Sequence, residues 1–374
     1  MSLTDNVKEW AYQAGFDAVG ITSTDSLREA EQATLNWINA GMNAGMGWFT
    51  EEHARRACRP ADLVSNARSV IHLAKCYLPP GSYLSISAEE PQGKFARYAW
   101  GEDYHLIFPR MIEELVDMVT GYIGARPNAR IFVDSGPLAE KAAAVRAGIG
   151  WYGKNSLVIT PEHGSWVLLG EIVSDLPLKP GKSLQRDCGE CRLCIEHCPT
   201  GAIVSPYRVD ARRCLSYLTI ENRGAIPRDL RRSLGNRIFG CDLCQEVCPH
   251  NRQVRPTEDP VFAPLREPGA HPDLKSLMAL SGADFKRFFS RSPILRARRK
   301  GLLRNVAVAL GNAKDISAVP VLAAALMDRE ALVRSHAAWA LGQIGGRRAR
   351  LALEEAMTRE TDGEVQDEIK LALG

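Results

Sequence analysis

Cys188-Gly-Glu-Cys191-Arg-Leu-Cys194-Ile-Glu-His-Cys198-Pro199 is the stretch that decides the central part of this fold. Its spacing, C-x2-C-x2-C-x3-C-P, is the ligand pattern of a cubane [4Fe–4S] cluster. A second run, Cys241-Asp-Leu-Cys244-Gln-Glu-Val-Cys248-Pro249, has one cysteine fewer, and Cys214 lies upstream of it. Together these segments contain eight of the ten cysteines. They predict two clusters and one-electron chemistry at low potential.

The cysteine before each proline is expected to bind the other cluster, as in two-cluster ferredoxins. The first ligand set is then Cys188, Cys191, Cys194 and Cys248, and the second is Cys198, Cys214, Cys241 and Cys244. Zinc sites also use C-x2-C pairs, but two Cys-Pro endings and eight ligands in crossed order favour iron–sulfur clusters. Disulfides are disfavoured because nothing marks the chain as secreted. Cys58 and Cys76 have no partner at ligand spacing, and we expect them to be buried and inert.

Bulk properties are those of an ordinary soluble protein. The 374 residues predict two to three domains, and the apolar content of 45% and charged content of 24% are typical of globular chains. The first ten residues lack the basic-then-apolar order of a signal peptide, and no apolar run is long enough to span a bilayer. We therefore expect a cytoplasmic monomer with no membrane contact.

Positive charge is concentrated in two segments although the net charge is only +3. Eight basic residues lie between Lys286 and Arg304 with no Asp or Glu among them, and seven arginines lie between Arg212 and Arg237. Such segments can form a solvated surface or cover a helix with long side chains. Two of them in a nearly neutral protein favour phosphate binding, and hence nucleic acid.

The chain divides into three predicted domains. Residues 1–180 alternate helices and strands and predict an α/β or α+β domain, 181–255 form the ferredoxin-like module, and 273–374 form an α-helical region. In the last region Asn305–Asn312 aligns with His336–Gln343 at a period of 31 residues, which resembles HEAT-like repeats. Because two repeats are few for a free-standing solenoid, we expect them to dock on the ferredoxin-like module.

Asp134 is the strongest candidate for an acid in the first domain. It ends the predicted strand 130–134 and precedes a predicted helix over 137–147. An aspartate there commonly caps a helix, but Gly136 can take the cap. Asp134 would then project from a strand end, where open α/β sheets bind ligands and a carboxyl can act as an acid.

Two further stretches are candidates for a ligand site. The glycine-rich loop 148–156 suits a large planar or anionic ligand, or is a structural turn before a strand over 156–160. That strand is expected to pair with one over 165–175. The stretch from Phe95 to His105 combines aromatic residues with Arg97, and is either a ligand wall or part of the core.

Together these motifs resemble the epoxyqueuosine reductase family. The resemblance covers nearly all of the chain and is carried by the two cysteine runs, the HEAT-like tail and the segments 97–105, 133–141, 147–156 and 214–224. It implies a cobalamin-dependent oxidoreductase that reduces epoxyqueuosine at the wobble position of tRNA to queuosine, the last step of that modification. It also implies an external low-potential electron donor, with cobalamin between the N-terminal domain and the cluster module.

The resemblance also implies roles for individual residues. Asp134 matches the family's proton donor, and electrons would pass from the clusters to cobalamin. Residues near the corrin would be Arg97, Tyr98, Asp134, Lys154, Asn155 and Ser156. The basic segments would bind the anticodon stem-loop, with Arg223, Arg298 and Arg299 as candidates.

Three other functions are compatible with parts of the sequence. A cobalamin enzyme of the reductive dehalogenase type also has two clusters, but such enzymes typically carry an export signal. A protein that only relays electrons leaves Asp134 and the first 180 residues without a role. A nucleic-acid-binding repeat protein with a structural cluster leaves the second cluster unexplained.

Overall fold

The structure is a computed structural model, and it describes residues 1–81 and 92–374. In chain order its helices are α1 (Leu3–Gln13), α2 (Arg28–Asn39), α3 (Glu51–Ala57), α4 (Tyr104–Ile123), α5 (Glu140–Arg146), α6 (Leu193–Glu196), α7 (Leu215–Ile220), α8 (Arg228–Arg231), α9 (Leu243–Glu246), α10 (Leu274–Met278), α11 (Gly282–Phe289), α12 (Arg298–Ala313), α13 (Val319–Ala325), α14 (Ala331–Ile344), α15 (Arg347–Met357) and α16 (Gly363–Leu373). Its strands are β1 (Ala18–Thr22), β2 (Ser69–Cys76), β3 (Lys94–Phe95), β4 (Ala129–Phe132), β5 (Trp151–Tyr152), β6 (Val158–Ile159), β7 (Val167–Ser174), β8 (Ile203–Ser205), β9 (Arg208–Val209) and β10 (Arg237–Phe239). In this described part of the chain, none of the helices combines the length and the apolar character that crossing a membrane requires.

The chain forms two compact units, each assembled from separated segments. The first unit consists of Met1–Pro80, Asp103–Arg212 and Leu243–Pro260, and the second of Gly81–Glu102, Arg213–Asp242 and Val261–Gly374. Of the predicted cluster ligands, Cys214 and Cys241 belong to the second unit and the other six to the first. The three consecutive domains expected from the sequence stay a prediction.

A four-stranded antiparallel sheet, in the order β1-β2-β7-β4, organises the first unit. Helices cover both of its faces because glycines let them approach. A Cβ on Gly170 would lie 2.6 Å from the Phe108 ring of α4, and one on Gly20 would lie 2.6 Å from the Ala147 carbonyl oxygen after α5. Gly20 pairs with His72 and Gly170 with the next residue of β2, so the two glycines face opposite sides.

The structure corrects three local predictions in this unit. Helix α5 begins at Glu140 instead of residue 137, with Ala139 as its N-cap. The predicted pairing of 156–160 with 165–175 is wrong, because β6 pairs with β5 and β7 pairs with β2 and β4. An eight-residue strand gains more burial in the sheet centre than in a local hairpin. Finally, the strand-end argument for Asp134 applies to parallel sheets, and this sheet is antiparallel.

In the second unit the repeats and the segment 213–242 share one hydrophobic core. Gly311 on α12 and Gly342 on α14 lie one repeat period apart and have the same packing role. A Cβ on Gly311 would lie 2.9 Å from the Cα of Ala340 on α14, and one on Gly342 would lie 2.9 Å from the Cα of Ala372 on α16. The repeat predicted from the sequence is therefore confirmed as a repeat of helix packing.

Polar side chains at one repeat position bind the backbone of segment 213–242. Asn305 Nδ2 donates to the carbonyl oxygens of Thr219 and Ile238, both at 2.8 Å. One period later, His336 Nε2 accepts a hydrogen bond from the Ile226 N–H at 3.1 Å. The predicted docking of the repeats is thus confirmed for this part of the cysteine-containing module.

Candidate active site and cluster cysteines

Four cysteines of the first unit surround one cavity. Cys188, Cys191, Cys194 and Cys248 line it, together with the side chains of Lys154, Asn155 and His250. These cysteines are the predicted first ligand set, so the chain brings that set together. In residues 1–81 and 92–374, no three His, Cys, Asp or Glu side chains converge closely enough to hold a single metal ion.

The chemistry of this donor set fits a [4Fe–4S] cluster. Burial and the neighbouring thiols Cys188, Cys248 and Cys191 raise the pKa of Cys194 to about 11. Thiols crowded in this way become thiolates only when cations balance their charge, and the irons of a cluster supply that charge.

Cys198 lies in a different polar environment. The Ala202 N–H donates to its sulfur at 3.2 Å, and the Thr200 hydroxyl lies 3.7 Å from it. Burial acts to raise the pKa of Cys198, but the hydrogen bonds from Thr200 and from backbone amides outweigh it and lower the pKa. Hydrogen bonds to sulfur tune iron–sulfur ligands. The second ligand set nevertheless stays a prediction, because its members belong to both units.

The two cysteines excluded from the clusters are buried, as expected. Cys58 is 1% exposed and Cys76 is 0% exposed. Burial raises the pKa of each thiol to about 11. Both therefore remain protonated and unreactive at neutral pH.

Asp134 lies in the loop between β4 and α5 and has an unusual backbone. Its φ of 55° is in the left-handed region, which is rare for a residue other than glycine and is often found at functional sites. Its side chain is 52% exposed. Tyr104 donates its hydroxyl hydrogen to Asp134 Oδ2 at 2.9 Å, and His105 Nε2 lies 3.8 Å from the same oxygen.

The first turn of α4 holds these two partners in place. Asp103 is the N-cap and accepts a hydrogen bond from the His105 N–H at 3.0 Å. The same carboxyl oxygen lies 2.8 Å from His105 Nδ1. An acid, an imidazole and a second acid thus form a row that can hold or move a proton. Within the stretch from Phe95 to His105, Tyr104 and His105 thus contact Asp134, whereas Trp100 is buried in the core of the second unit.

The three predicted cofactor residues of the glycine-rich loop, Lys154, Asn155 and Ser156, have different surroundings. Lys154 Nζ donates to the Gly189 carbonyl oxygen, and Asn155 Nδ2 donates to that of Cys244 at 3.4 Å, so both lie beside cysteine segments. Ser156 has a φ of 65°, and its buried hydroxyl has no hydrogen-bond partner in the described part of the chain. Gly150 serves packing, because a Cβ there would lie 2.2 Å from the Ile159 carbonyl oxygen.

Arg97 and Tyr98 belong to the second unit, where both contact the segment that contains Cys241. The Arg97 backbone N–H and guanidinium each donate to Asp242 Oδ2 at 2.9 Å. The Tyr98 ring lies 6.1 Å, centroid to centroid, from that of Phe239. These contacts position the chain beside Cys241. A role for either residue in binding a cofactor stays a prediction.

Most of the basic residues in the stretch 286–304 have an acidic side chain or backbone carbonyl oxygens as partners. Arg304 is 0% exposed and donates to the carbonyl oxygens of Leu218, Asn222 and Gly224 at 2.6–2.8 Å. Four exposed or half-exposed members form ion pairs, namely Arg287 with Asp284, Arg291 with Glu102, Arg296 with Glu221 and Lys300 with Glu330. The stretch therefore presents less free positive charge than its sequence indicates.

The three predicted tRNA-binding arginines differ in their availability. Arg299 pairs with Asp328 at 2.6 Å and donates to the Leu280 carbonyl oxygen. Arg223 donates to the carbonyl oxygens of Ile220 and Arg296. Arg298 is exposed and has no ion pair within the residues that the structure describes. It is the member of the three best able to meet a phosphate.

Comparison with known proteins assigns the family. Residues 187–251 match the 4Fe-4S double cluster binding domain, 57–135 match Epoxyqueuosine reductase QueG, and 292–374 match HEAT repeats. The epoxyqueuosine reductase of Salmonella typhimurium is 42% identical over 342 residues, which are 91% of this chain and 88% of that protein. The Escherichia coli enzyme is 39% identical over 359 residues, or 96% and 94% of the two chains. The chain belongs to the epoxyqueuosine reductase family.

Solved structures of this reductase family have the same fold. An epoxyqueuosine reductase crystallised with an epoxyqueuosine-modified tRNA-Tyr stem loop superposes with a TM-score of 0.93 at 34% identity, covering 99% of this chain and 98% of that one. The Bacillus subtilis enzyme, with its Asp134 catalytic loop swung out of the active site, has a TM-score of 0.91 at 33% identity over 99% and 98%. This family member is an oxidoreductase, and the predicted fold class and double-cluster domain are confirmed.

Tyr104 and His105 are the partners of Asp134 that the site prediction omitted. The sequence does contain a signal for them, because Asp103 followed by Tyr-His has the pattern of a helix N-cap with two polar rings in the first turn. Their contact with a loop some thirty residues later is a tertiary property, and no local pattern predicts it.

Proposed function

We propose that this reductase reduces epoxyqueuosine to queuosine at the wobble position of tRNA, the last step of that modification. One observation supports this most directly. The first compact unit contains both a cavity lined by four cluster cysteines and a half-exposed carboxyl, that of Asp134, which Tyr104 and His105 contact. Electron delivery and proton delivery are thus available within one unit.

The proposed reaction requires both supplies. Removing the oxygen of an epoxide breaks two C–O bonds, forms a C=C bond and releases water. It consumes two electrons and two protons. Each [4Fe–4S] cluster passes one electron at a time, so two clusters can hold the pair that one turnover needs. An external low-potential donor would refill them.

A carbon-reactive centre is also needed, and we propose cobalamin. When bound, it supplies a cobalt centre that becomes reactive towards carbon–oxygen bonds on reduction. Residues proposed to hold it are Lys154, Asn155 and Ser156 of the first unit. The buried Ser156 hydroxyl, with no partner among the described residues, fits a loop that receives a ligand.

Asp134 is proposed to protonate the oxygen as its bond to carbon breaks. The Tyr104 hydrogen bond would orient the carboxyl, and Asp103 would set the direction of the His105 ring. The loop that contains Asp134 would move during the cycle, since the Bacillus subtilis relative has been captured with its catalytic loop displaced. The left-handed φ of Asp134 is consistent with a strained loop of this kind.

The substrate is proposed to bind as part of an RNA stem-loop. A related reductase has been crystallised with a modified stem loop of tRNA-Tyr. In this chain the exposed Arg298 is the leading candidate for a phosphate contact, and Arg223 and Arg299 remain candidates with partners of their own.

A turnover assay tests the proposal. Protein with both clusters and cobalamin reconstituted anaerobically, together with a chemical reductant, should convert epoxyqueuosine-tRNA to queuosine-tRNA, scored by nucleoside mass. Asp134→Asn should bind cobalamin but lose turnover. Asp117→Asn, a change at a 72% exposed aspartate of α4, is the matched control and should retain it. Absence of conversion by the fully loaded wild type would rule out the proposed reaction.

A further inference from the structure

Four aromatic rings of the first unit form a cluster that joins α2, α3 and the loop between them. The ring centroids of Trp48 and Phe49 are 5.0 Å apart, and that of His53 lies 5.7 Å from Trp48 and 5.3 Å from Phe49. Trp37 of α2 packs edge-on against Phe49 at 5.4 Å. Trp48 therefore contacts two rings, and one of these is packed against a third.

Trp48 is the member of this cluster that is exposed to solvent. It is 52% exposed, whereas the other six tryptophans of the chain are buried or half-buried. Tryptophan has a large, flat, apolar ring, and aromatic rings interact favourably when they stack. An exposed indole that already packs on other rings is therefore suited to stack against a planar group from outside the protein.

Hydrogen bonds to a distant segment of the same unit hold the cluster in place. Trp37 Nε1 donates to the Val209 carbonyl oxygen at 2.6 Å. In the loop that contains Trp48, the Met42 carbonyl oxygen accepts a hydrogen bond from the Ala211 N–H at 2.9 Å. A side chain that is held in position before binding loses less conformational entropy when a ligand arrives. The cluster thus has the properties of a preformed binding surface.

Helix α3 connects this cluster to the loop that contains Asp134. Thr50 is the N-cap of α3, and its hydroxyl accepts a hydrogen bond from the His53 N–H at 3.1 Å. At the other end of the helix, the Ala57 carbonyl oxygen accepts one from the N–H of Ala139, where the Asp134 loop ends, at 2.8 Å. The seven residues of α3 span about 10 Å, which is the length of about three stacked nucleotides. One RNA loop is therefore long enough to contact both ends of α3.

Charge around the cluster is nearly balanced. Glu51 pairs with Arg55 at 2.7 Å. Among the residues that the structure describes, Arg56 and Glu52 are exposed and have no ion pair, and their opposite charges offset each other. Burial, and then the charge of Arg56, lower the pKa of His53, so its ring is neutral at physiological pH. A ligand that binds here is therefore held by ring contact more than by attraction between charges.

We propose that Trp48 stacks on an unpaired base of the anticodon loop and so helps to hold the RNA while the wobble nucleotide is at Asp134. The inference rests on the proposed function, in which an RNA stem-loop carries the substrate. Unpaired bases of RNA loops are recognised by stacking on exposed aromatic side chains, because every base has a flat π-face. Trp48 is thus a substrate-binding residue at a distance from the reacting atoms.

Binding of a fluorescently labelled anticodon stem-loop to the reconstituted protein tests this contact without turnover. Trp48→Ala should weaken the affinity roughly tenfold, and Trp48→Phe should retain most of it, because stacking on one base is lost in the first variant and kept in the second. Trp48→Leu keeps an apolar side chain in the cluster and should lose affinity to a similar degree as alanine. The slope of affinity against salt concentration should not change, since no phosphate contact is removed.

Tyr12→Ala, at a 54% exposed tyrosine of α1, is the control for loss of an exposed aromatic ring and should bind the stem-loop like the wild type. Equal affinity in the wild type, Trp48→Ala and Trp48→Leu would overturn the proposal. So would an equal loss in Tyr12→Ala, or a salt slope that falls in Trp48→Ala, since the contact would then be nonspecific or ionic.

Abasic stem-loops identify the base that stacks. When one loop nucleotide at a time lacks its base, the wild type should lose affinity at the stacking position, and Trp48→Ala should show no further loss there, because both changes remove the same contact. If every abasic loss adds fully to that of Trp48→Ala, Trp48 does not stack on a base. If the non-additive position is found but the fully loaded wild type does not convert epoxyqueuosine-tRNA, only the proposed reaction fails.

Discussion

The Tyr104 hydroxyl and Asp134 Oδ2 are joined by a 2.9 Å hydrogen bond that links the first turn of α4 to the loop after β4. The carboxyl is half exposed, whereas the Tyr104 side chain is buried. A half-exposed acid is therefore hydrogen-bonded to a buried donor. This contact offers a way to orient the carboxyl without covering it.

Tyr104→Phe should lower turnover roughly tenfold, because a hydrogen bond to a charged group contributes about 1.5–3 kcal/mol. The ring stays in place, so tRNA affinity and cluster content should not change. Steady-state kinetics with epoxyqueuosine-tRNA provide the measurement. Tyr122→Phe, at a 57% exposed tyrosine of the same helix, is the control. Equal turnover in wild type and Tyr104→Phe would show that the hydroxyl does not orient Asp134.

Cys191→Ser should remove the first cluster and leave the second. Fully loaded protein is expected to contain about eight irons per chain, and the variant about four. Cys58→Ser changes a buried cysteine outside the predicted ligand sets and should retain all eight. Iron analysis and the cluster absorption after anaerobic reconstitution distinguish the two variants. Full iron content in Cys191→Ser would remove this cysteine from the ligand set.

Glu171→Gln should stabilise the protein at neutral pH. The unfolded chain ionises this glutamate near pH 4.3, whereas burial raises its pKa in the folded state. The folded state therefore binds more protons above about pH 4.3, and its stability falls as the pH rises through that window. Glutamine removes this dependence. The thermal midpoint of the variant should exceed that of the wild type at neutral pH, and the difference should disappear at about pH 4. If the difference between the two thermal midpoints does not change with pH, burial does not raise the pKa of Glu171.

Arg304→Met should destabilise the second unit by about 3–5 kcal/mol, because three buried carbonyl oxygens lose a charged donor. Arg298→Ala, at an exposed position, should change the free energy of unfolding by less than about 0.5 kcal/mol. Denaturant unfolding compares the two variants. Similar stability in both would mean that the buried guanidinium is not structural.

Arg298→Glu should weaken tRNA binding and make it less dependent on salt, since one phosphate contact would be lost. Arg348→Glu, at an exposed arginine of α15, is the matched charge reversal. Binding isotherms at several salt concentrations give both slopes. If the two reversals weaken binding equally, only overall charge matters, and Arg298 has no specific contact.

Features that depend on residues near one another in the chain are predicted from the sequence, whereas contacts between distant segments are not. Cysteine spacing and the glycine positions of the repeat are local constraints, and the structure confirms that four cysteines converge and that Gly311 and Gly342 pack alike. The sequence predicts β7 as a strand, which is confirmed, but pairs it with β6 instead of β2 and β4. Its side chains fit either a hairpin or the sheet centre, and only the burial available in the folded unit distinguishes them.

The sequence by itself determined the iron–sulfur chemistry and the repeat, because each depends on residue spacings within short segments, and it predicts Asp134 as the acid. Tertiary structure alone decided which basic side chains form ion pairs and which ionisable side chains are buried. The basic stretch 286–304 reads as a continuous positive surface until the fold pairs its members with Glu102, Glu221 and Asp328. His72 and Glu171 lie on strands far apart in the sequence, and their burial side by side sets their protonation. Desolvation and ion pairing depend on three-dimensional surroundings, which no sequence spacing specifies.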